Sequence, residues 1–476
     1  MVRTRIAPSP TGIPHIGNTR TALYNFLFAK QNKGKFIVRI EDTDRERFVP
    51  GAQTKILEIL NLLGLSWDEG PEIGGPFSPY VQSKRLKLYK SLVEELIKKG
   101  KAYYCFCKKE RLEEIRRKKQ KEGKFPGYDR HCLNLTDQEV KENLVAGKSY
   151  VIRLKVPHGK KISWQDLIQG NISFNSDEID DQILLKSDGY PTYHLAAVSD
   201  DYQMKISHVL RGVEWISSTP KHILLYQAFG WQLPEFGHLP IILGPDKAKL
   251  SKRHGAKSAL DLQKEGYLPE AMINFMAFLG WSYKDNSDLL TLNDLTKVFD
   301  LKRVRKASSI FDIEKLKWFN GQWIRQKSDQ ELARLLKPFL KLKIEEKKFL
   351  QLIPLVKERL VLLSDIEALA EFLKPDLTID INILKSQSKQ STTKLKKLLK
   401  QLSEQLTDLT DWKVQAIEEL LRKLKEDYLD WQSREFFMTI RVATTGLPVT
   451  PPLFESIAIL GKKLTLSRIK QVLEKL

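Results

Sequence analysis

Residues 5–18 combine a histidine with a backbone suited to holding a phosphate group. The segment is RIAPSPTGIPHIGN. Its prolines forbid helix, Gly12 frees the backbone, and a helical pattern begins near Asn18. A strand-like run at residues 2–7 precedes the loop, so unpaired N–H groups and the positive end of a helix dipole point at one place. His15 lies in this loop, although Pro-His-Ile-Gly alone fits an ordinary turn equally well.

A second candidate phosphate site is the basic run KLSKR, far downstream. It contains Lys249, Ser251, Lys252 and Arg253. Basic runs are usually solvated faces. This one has glycines on both sides, follows a strand-like segment and spaces two lysines around a serine. The pattern predicts a mobile loop that clamps a polyphosphate.

These two motifs resemble the HIGH and KMSKS signatures of class I aminoacyl-tRNA synthetases. Asn18 stands in place of the last histidine of the first signature, and Leu250 stands in place of the methionine of the second. The resemblance to bacterial-type glutamyl-tRNA synthetases covers nearly the whole chain and is densest up to about residue 325. Three further segments match this family: residues 5–12 (RIAPSPTG), 36–45 (FIVRIEDTDR) and 188–194 (DGYPTYH).

Composition restricts the class of protein and its partners. The chain has 476 residues, a hydrophobic share of 42% and a formal charge of +20. The excess of Lys and Arg favours a polyanionic partner, and charge alone does not separate tRNA from DNA or an acidic protein. No apolar run approaches the roughly 20 residues of a membrane helix, and no signal peptide is recognisable. We expect a cytoplasmic monomer that binds tRNA, without a membrane or DNA partner.

The pattern of the first forty residues predicts a βαβ unit. Residues 19–31 have a helical apolar period, and residues 36–40 form a β-rich run that ends at Glu41 and Asp44. Parallel sheets bind ligands at the carboxyl ends of their strands. We therefore expect His15 and these acids to lie at the same edge.

The fold expected from the pattern and the resemblance is an α/β catalytic half followed by an all-α C-terminal anticodon-binding domain. The catalytic half would be a Rossmann-like parallel sheet with an inserted α+β domain, and the sheet is predicted to resume near Ile183. A helix with Pro220 in its first turn should end at Gly230. The expected parts are catalytic halves at 1–104 and 186–243, an acceptor-stem insertion at 105–185, the KLSKR loop with a helical stem-contact domain at 244–325, and the anticodon-binding domain at 326–476.

The resemblance implies a two-step reaction. The α-carboxylate of L-glutamate attacks the α-phosphorus of ATP, and the resulting glutamyl adenylate passes its glutamyl group to the terminal ribose of tRNA(Glu). His15, Lys249 and Lys252 would be the catalytic residues, and Mg²⁺ would accompany the ATP. The implied ATP-binding residues are Ser9, His15, Gly17, Asn18, Glu214, Trp215, Lys249, Ser251, Lys252 and Arg253.

Selection of glutamate requires groups that recognise two carboxylates. Arginine pairs bidentately with a carboxylate in a way that lysine does not. The resemblance places Arg5 and Arg211 in that role and Glu41 on the α-ammonium, without settling which carboxylate each arginine holds. The full implied glutamate set is Arg5, Ala7, Ser9, Glu41, Tyr193 and Arg211.

The tRNA contacts implied by the resemblance are Asp44, Arg47 and Trp215, with Arg359 near a position that reads the last anticodon base. An arginine there is associated with charging glutamate tRNA only, and the sequence leaves open whether glutamine tRNA is also charged. The resemblance further implies that glutamate is activated only after tRNA binds.

A zinc site is suggested by Cys105, Cys107 and Cys132, whose spacing some relatives use for the metal. Zinc takes four N or S ligands in a closed tetrahedral site. Asn134 stands where those relatives carry the fourth ligand, so the fourth would be His131 or a residue outside the motif. The alternative is three buried thiols.

Three other functions agree less well with the sequence. A small-molecule nucleotidylyltransferase would not need the basic, Leu- and Lys-rich C-terminal third. A glutamyl-queuosine type enzyme would lack that third. A non-enzymatic RNA-binding relative would be expected to lose His15, Lys252 or the arginine pair, and all are present.

Overall fold

The structure is a computed structural model that describes residues 1–250, 257–283 and 289–476. It contains two compact units. The first comprises Met1–Leu262 with Pro269–Leu316, and the second comprises Gln263–Leu268 with Lys317–Leu476. No described helix is long and apolar enough to cross a membrane.

The elements alternate between strands and helices up to residue 243 and are almost all helical afterwards. In chain order they are β1 (Arg3–Ile6), α1 (Ile16–Gln31), β2 (Lys35–Val38), α2 (Ala52–Leu62), α3 (Leu86–Lys98), β3 (Ala102–Cys105), α4 (Lys109–Lys121), α5 (Asp137–Val145), β4 (Val151–Leu154), β5 (Lys161–Asp166), β6 (Gly170–Asn175), β7 (Ile183–Leu185), α6 (Tyr193–Gln203), β8 (His208–Gly212), α7 (Thr219–Phe229), β9 (Glu235–Leu239) and β10 (Ile242–Leu243). They continue with α8 (Ala259–Lys264), α9 (Pro269–Ala277), α10 (Leu292–Val298), β11 (Ser309–Ile310), α11 (Ile313–Gln326), α12 (Asp329–Leu336), α13 (Glu346–Val356), α14 (Ile366–Leu369), α15 (Ile381–Ser388), α16 (Thr392–Asp408), α17 (Val414–Glu426), α18 (Ser433–Thr445), α19 (Leu453–Leu460) and α20 (Lys462–Lys475).

The predicted βαβ unit is confirmed. Strands β1 and β2 pair in parallel, with Arg5 opposite Ile37. Helix α1 connects them and buries Leu23 and Leu27 completely. It begins at Ile16, two residues before the predicted start near Asn18, because the His15 side chain caps it.

The strands of the predicted insertion are shared between two sheets. Strands β8 and β9 are parallel, and β5 pairs in parallel with β9 where Asp166 faces Phe236. Strand β6 completes this sheet in the order β6-β5-β9-β8. The catalytic sheet was predicted to resume near Ile183, but β7 pairs with β4 in a separate sheet of order β3-β4-β7. An apolar run marks a strand without specifying its partner.

Helix α7 follows the prediction closely. Pro220 lies in its first turn, and Gly230 caps its C-terminus with φ of 78°. This left-handed conformation favours glycine. The helix packs in the apolar core of the first unit with buried residues that include Leu225 and Phe229.

The second unit is helical, as predicted for the C-terminal third. Apolar stripes of α16 and α17, such as Leu399 and Leu421, join a buried core with Phe436. The Leu and Lys pattern of this third predicts amphipathic helices at residues 331–340, 345–363, 394–406, 412–429 and 464–476. Helices α12, α13, α16, α17 and α20 overlap these ranges, and α13 ends at Val356, earlier than predicted. Helices α18 and α19 lie outside the predicted ranges, and both bury apolar residues in the same core, including Ile440 and Ile457.

The close pairing of β1 with β2 generates a stability prediction. A Cβ at Gly34 would overlap the backbone carbonyl oxygen of Val2, which accepts the N–H of Lys35 at 2.9 Å. Gly34→Ala should therefore lower the free energy of unfolding by about 1–3 kcal/mol, the usual cost of overpacking. Urea unfolding measures it. Gln31→Ala, at the exposed end of α1, is the matched control, and equal stability of the two variants would contradict the prediction.

Candidate functional site

A cavity of about 330 Å³ lies at the carboxyl ends of β1 and β8, beside the N-terminus of α1. The strand ends and the helix start converge there, as expected for a parallel α/β arrangement. The structure thereby brings together most of the residues predicted from sequence. Those lining the cavity are Arg5, Ala7, Ser9, His15, Gly17, Asn18, Glu41, Tyr193, Arg211, Glu214, Trp215 and Lys249.

Other predicted residues lie elsewhere or outside the described chain. Asp44 and Arg47 are not among the cavity-lining residues and pair with each other, Nε to Oδ2, at 2.7 Å. Arg359 belongs to the second unit, is exposed and donates to the carbonyl of Thr450 at 2.6 Å. The predicted residues outside the described chain are Ser251, Lys252 and Arg253.

His15 caps α1 through its imidazole. Its Nδ1 accepts the backbone N–H of Gly17 at 3.0 Å. The neutral ring therefore carries its proton on Nε2, where it can donate to a ligand oxygen. A Cβ at Gly17 would lie 2.8 Å from the Cε1 atom of His15, so glycine at this position makes room for the imidazole.

Arg5 and Glu41 belong to a buried chain of alternating charges. The Nε atom of Arg5 lies 3.0 Å from Asp201, Arg39 lies 2.7 Å from the same carboxylate, and Arg39 also lies 2.8 Å from Oε1 of Glu41. Burial opposes ionisation of Asp201, but the two arginines lower its pKa. Burial raises the pKa of Glu41, in spite of Arg39. Arg5 is thus already compensated by a protein carboxylate.

Arg211 differs, because its partners within the described chain are neutral. It donates to Tyr193 at 3.1 Å, Thr219 at 2.9 Å, and the ring nitrogens of His238 at 3.2 Å and His222 at 3.3 Å. No carboxylate of the described residues forms a hydrogen bond or ion pair with it. The side chain is only 6% exposed, and burial lowers its pKa. Guanidinium stays protonated in proteins, so the cavity wall contains a cation that no carboxylate of the described residues contacts, although Asp201 acts on it at longer range. We call the charge of Arg211 uncompensated in this sense.

The cavity is also lined by Glu214, Trp215 and Lys249, which the resemblance assigned to ATP. Lys249 lies 3.7 Å from Glu214, and both side chains are about half exposed. The chain from β10 turns back as a hairpin, because Leu250 donates its N–H to Ile242 at 3.0 Å and Gly244 donates to Ala248 at 2.8 Å. The described start of the predicted mobile loop is therefore held in place. Leu250, which replaces the family methionine, is buried.

The three cysteines come together as the spacing suggested. The Sγ atoms of Cys105, Cys107 and Cys132 all lie within 4.8 Å of one another. Four thiolates around zinc at about 2.3 Å would be roughly 3.8 Å apart, so the group fits a tetrahedral metal. His131, the predicted fourth ligand, is exposed and lies outside this group, since its neighbour Cys132 points inward. The hydroxyl of Tyr128 instead lies 3.2 Å from the Sγ atom of Cys107.

The sequence prediction missed the residues that hold the two arginines. Asp201 and Arg39 were absent from it, as were Thr219, His222 and His238. An acid inside an apolar helical run, as Asp201 is in α6, indicates a buried charge that needs a partner. The partner is Arg5, almost two hundred positions away, and no spacing rule connects them.

Comparisons with known proteins agree with this geometry. The family model for class I tRNA synthetases (E and Q), catalytic domain, matches residues 1–318, and that for an anticodon binding domain matches residues 331–473. A glutamate–tRNA ligase of Dehalococcoides mccartyi strain CBDB1 is 45% identical, with 100% of this chain and 98% of that protein covered. That of Treponema denticola is 44% identical, with 99% of each covered.

Among solved structures, a glutamate tRNA ligase from Elizabethkingia meningosepticum in complex with its amino acid is similar with a TM-score of 0.92. It is 38% identical, and the match covers 100% of this chain and 99% of that one. The matched domains and the full-length relatives lead to the same assignment. The chain belongs to the class I tRNA synthetases of the glutamate and glutamine group.

Proposed function

We propose that this protein is a glutamate–tRNA ligase, which activates L-glutamate with ATP and transfers it to the 3′ terminal ribose of tRNA(Glu). The observation that carries the proposal is Arg211, a buried cation on a cavity wall whose hydrogen-bond partners in the described part of the chain are neutral. A ligand carboxylate would compensate it. The full-length similarity to glutamate–tRNA ligases supports the same substrate.

In the first step an oxygen of the glutamate α-carboxylate forms a bond to the α-phosphorus of ATP, and pyrophosphate leaves. Negative charge moves to the phosphate oxygens, so preorganised donors lower the barrier. The Nε2–H of His15 is placed on the α-phosphate, and Lys249 and Lys252 on the β- and γ-phosphates. Mg²⁺ bound to the ATP would neutralise part of the phosphate charge. Gly17, Asn18, Ser251 and Arg253 complete the proposed ATP site.

Glutamate is held between the two arginines. Among the residues that the structure describes, no carboxylate contacts Arg211 and would compete with the substrate, so Arg211 is the principal carboxylate ligand. The Nε and Nη2 atoms of Arg5 donate hydrogen bonds to Asp201. Its Nη1 atom is proposed to donate to the second carboxylate of glutamate. The Oε1 atom of Glu41 accepts a hydrogen bond from Arg39. Its Oε2 atom is proposed to accept from the α-ammonium group of glutamate.

In the second step a hydroxyl of the tRNA ribose attacks the glutamyl carbonyl, and AMP leaves. Asp44, Arg47 and Trp215 are proposed to meet the tRNA terminus. Residues 105–185 would contact the acceptor stem and residues 326–476 the anticodon, with Arg359 near its last base. Partly exposed Trp215 also packs on Tyr193 with ring centroids 4.5 Å apart, which brings the terminus next to the glutamate site.

The direct test is aminoacylation with purified protein, ATP, labelled glutamate and total tRNA. We expect acid-stable, alkali-labile glutamyl-tRNA, as is typical of an aminoacyl ester, formed on glutamate tRNA. Charging of purified glutamine tRNA at a similar rate would refute the proposed role of Arg359. Absence of charging with any tRNA would refute the function.

The unequal compensation of the two arginines yields a mutational prediction. Arg211→Gln should raise the KM for glutamate about 10- to 100-fold, the range for losing a charged hydrogen bond. Arg5→Gln should have a smaller effect on KM and should also weaken the fold, because it leaves Asp201 with one fewer partner. Steady-state glutamylation and urea unfolding measure the two effects. Arg422→Gln, exposed in the second unit, is the control. A larger KM effect for Arg5→Gln would contradict this order.

We also predict that glutamate activation requires tRNA. In the free protein Lys249 is paired with Glu214, next to the proposed tRNA contact Trp215. Exposed ion pairs contribute only about 0–1 kcal/mol, so tRNA binding at this place can release the lysine for the phosphates. Pyrophosphate exchange with glutamate and ATP is the measurement, with and without tRNA oxidised at its terminal ribose. Rapid exchange without tRNA would show that the site is already assembled.

A zinc ion is proposed at Cys105, Cys107 and Cys132, with the hydroxyl of Tyr128 as the nearest candidate for the fourth ligand. When bound, zinc would tie β3 to the segment around Cys132. We predict about one zinc per chain by elemental analysis. Cys132→Ser should lose it, whereas His131→Ala should retain it. A metal-free wild-type protein purified without chelators would contradict the proposal and favour three free thiols, of which Cys105 and Cys132 are buried and Cys107 is partly buried.

A further inference from the structure

Asp166 and His238 form a buried pair behind the proposed glutamate site. Asp166 ends β5 and His238 lies in β9, the strand next to it. The Nδ1 atom of His238 lies 2.5 Å from Oδ2 of Asp166, and both side chains are fully buried. The other carboxylate oxygen, Oδ1, accepts three backbone N–H groups, those of Ile168 at 3.0 Å, Gln169 at 2.9 Å and His238 at 3.1 Å.

This arrangement determines which nitrogen of His238 carries the proton. Burial disfavours the charge on Asp166, but hydrogen bonds from His238 and the backbone lower its pKa to about 2. Burial lowers the pKa of His238, so its ring is neutral. The carboxylate accepts, so the proton is on Nδ1. The lone pair of Nε2 then faces Arg211, whose Nε donates to it at 3.2 Å.

A second imidazole presents a lone pair to the same guanidinium. The Nδ1 atom of His222 lies 3.3 Å from Nη1 of Arg211, and its Nε2 lies 3.0 Å from Nδ1 of His194. Burial holds the pKa of both rings below the usual range. Arg211 is therefore held in place by neutral acceptors. By contrast, Arg5 in the same cavity is held by the carboxylate of Asp201.

We propose that Asp166 and His238 are positioning residues for glutamate selection. Asp166 fixes the tautomer of His238, and His238 orients Arg211 without neutralising it, so the substrate carboxylate provides the compensating charge. The inference rests on the proposed role of Arg211 as a glutamate ligand. A carboxylate in direct contact with Arg211 would orient it equally well but would compete with the substrate.

The variant that tests this is Asp166→Asn, because the orientation of the new amide is dictated by its surroundings. Three backbone donors keep the amide oxygen at the position of Oδ1, so its NH₂ group faces Nδ1 of His238. The ring must then accept there and carry its proton on Nε2, where it opposes the N–H of Arg211. We expect the KM for glutamate to rise at least about tenfold, with the KM for ATP within about twofold of the wild type.

A double-variant comparison separates this role from a merely structural one. In His238→Gln the amide oxygen accepts from Arg211 without help from Asp166, so a small change in the glutamate KM is expected. Adding Asp166→Asn to His238→Gln should then change the KM no further. If the two substitutions have additive effects on the KM, or if the KM for ATP rises equally, the inference is wrong.

A readout independent of activity is the ¹⁵N spectrum of the histidine rings. Signals lost in His238→Gln identify His238, which should be the Nδ1–H tautomer in the wild type and the Nε2–H tautomer in Asp166→Asn. An Nε2–H tautomer in the wild type overturns the inference, even if Asp166→Asn does not fold. Wild-type protein that fails to charge tRNA with glutamate refutes the proposed function and this inference with it. Normal wild-type charging with additive variants refutes this inference alone.

Discussion

The uncompensated charge of Arg211 is the constraint on which the site depends. Burying a cation costs several kcal/mol unless its donors are satisfied. The fold satisfies them with neutral acceptors from β9, α6 and α7, and leaves the charge itself to a ligand. The neighbouring chain of Arg5, Asp201, Arg39 and Glu41 follows the opposite rule, since each charge there has an opposite charge in contact. The contrast makes one wall of the cavity selective for an anion.

The α/β arrangement explains how distant segments supply these groups. Arg5 and Arg211 lie at the carboxyl ends of β1 and β8, and His15 lies at the start of the helix that follows β1. Such edges are where parallel sheets bind ligands. Strand β5, from the segment predicted as an insertion, joins the sheet of β8 and β9 and brings Asp166 behind Arg211. The insertion thus contributes to the proposed amino-acid site as well as to the proposed acceptor-stem contact.

Local patterns were sufficient to predict much of the fold. The loop before α1, the helix from Pro220 to its glycine cap and the helical second unit all follow from residue types within a few positions of one another. Partners far apart in sequence were not predictable in this way. The strand near Ile183 was recognised, but its pairing with β4 was not. The same applies to the site, where motifs indicated Arg211 but nothing in the spacing indicated Asp166 or His238 behind it.

Equilibrium binding to the wild-type protein tests whether a buried cation that no described carboxylate contacts selects the acidic substrate. Dissociation constants of glutamate and glutamine are measured by dialysis under identical conditions, with tRNA oxidised at its terminal ribose present in both. We predict that glutamate binds at least about 100-fold more tightly than glutamine, because the neutral amide of glutamine leaves the buried guanidinium of Arg211 uncompensated. Equal affinity for the two amino acids would contradict it.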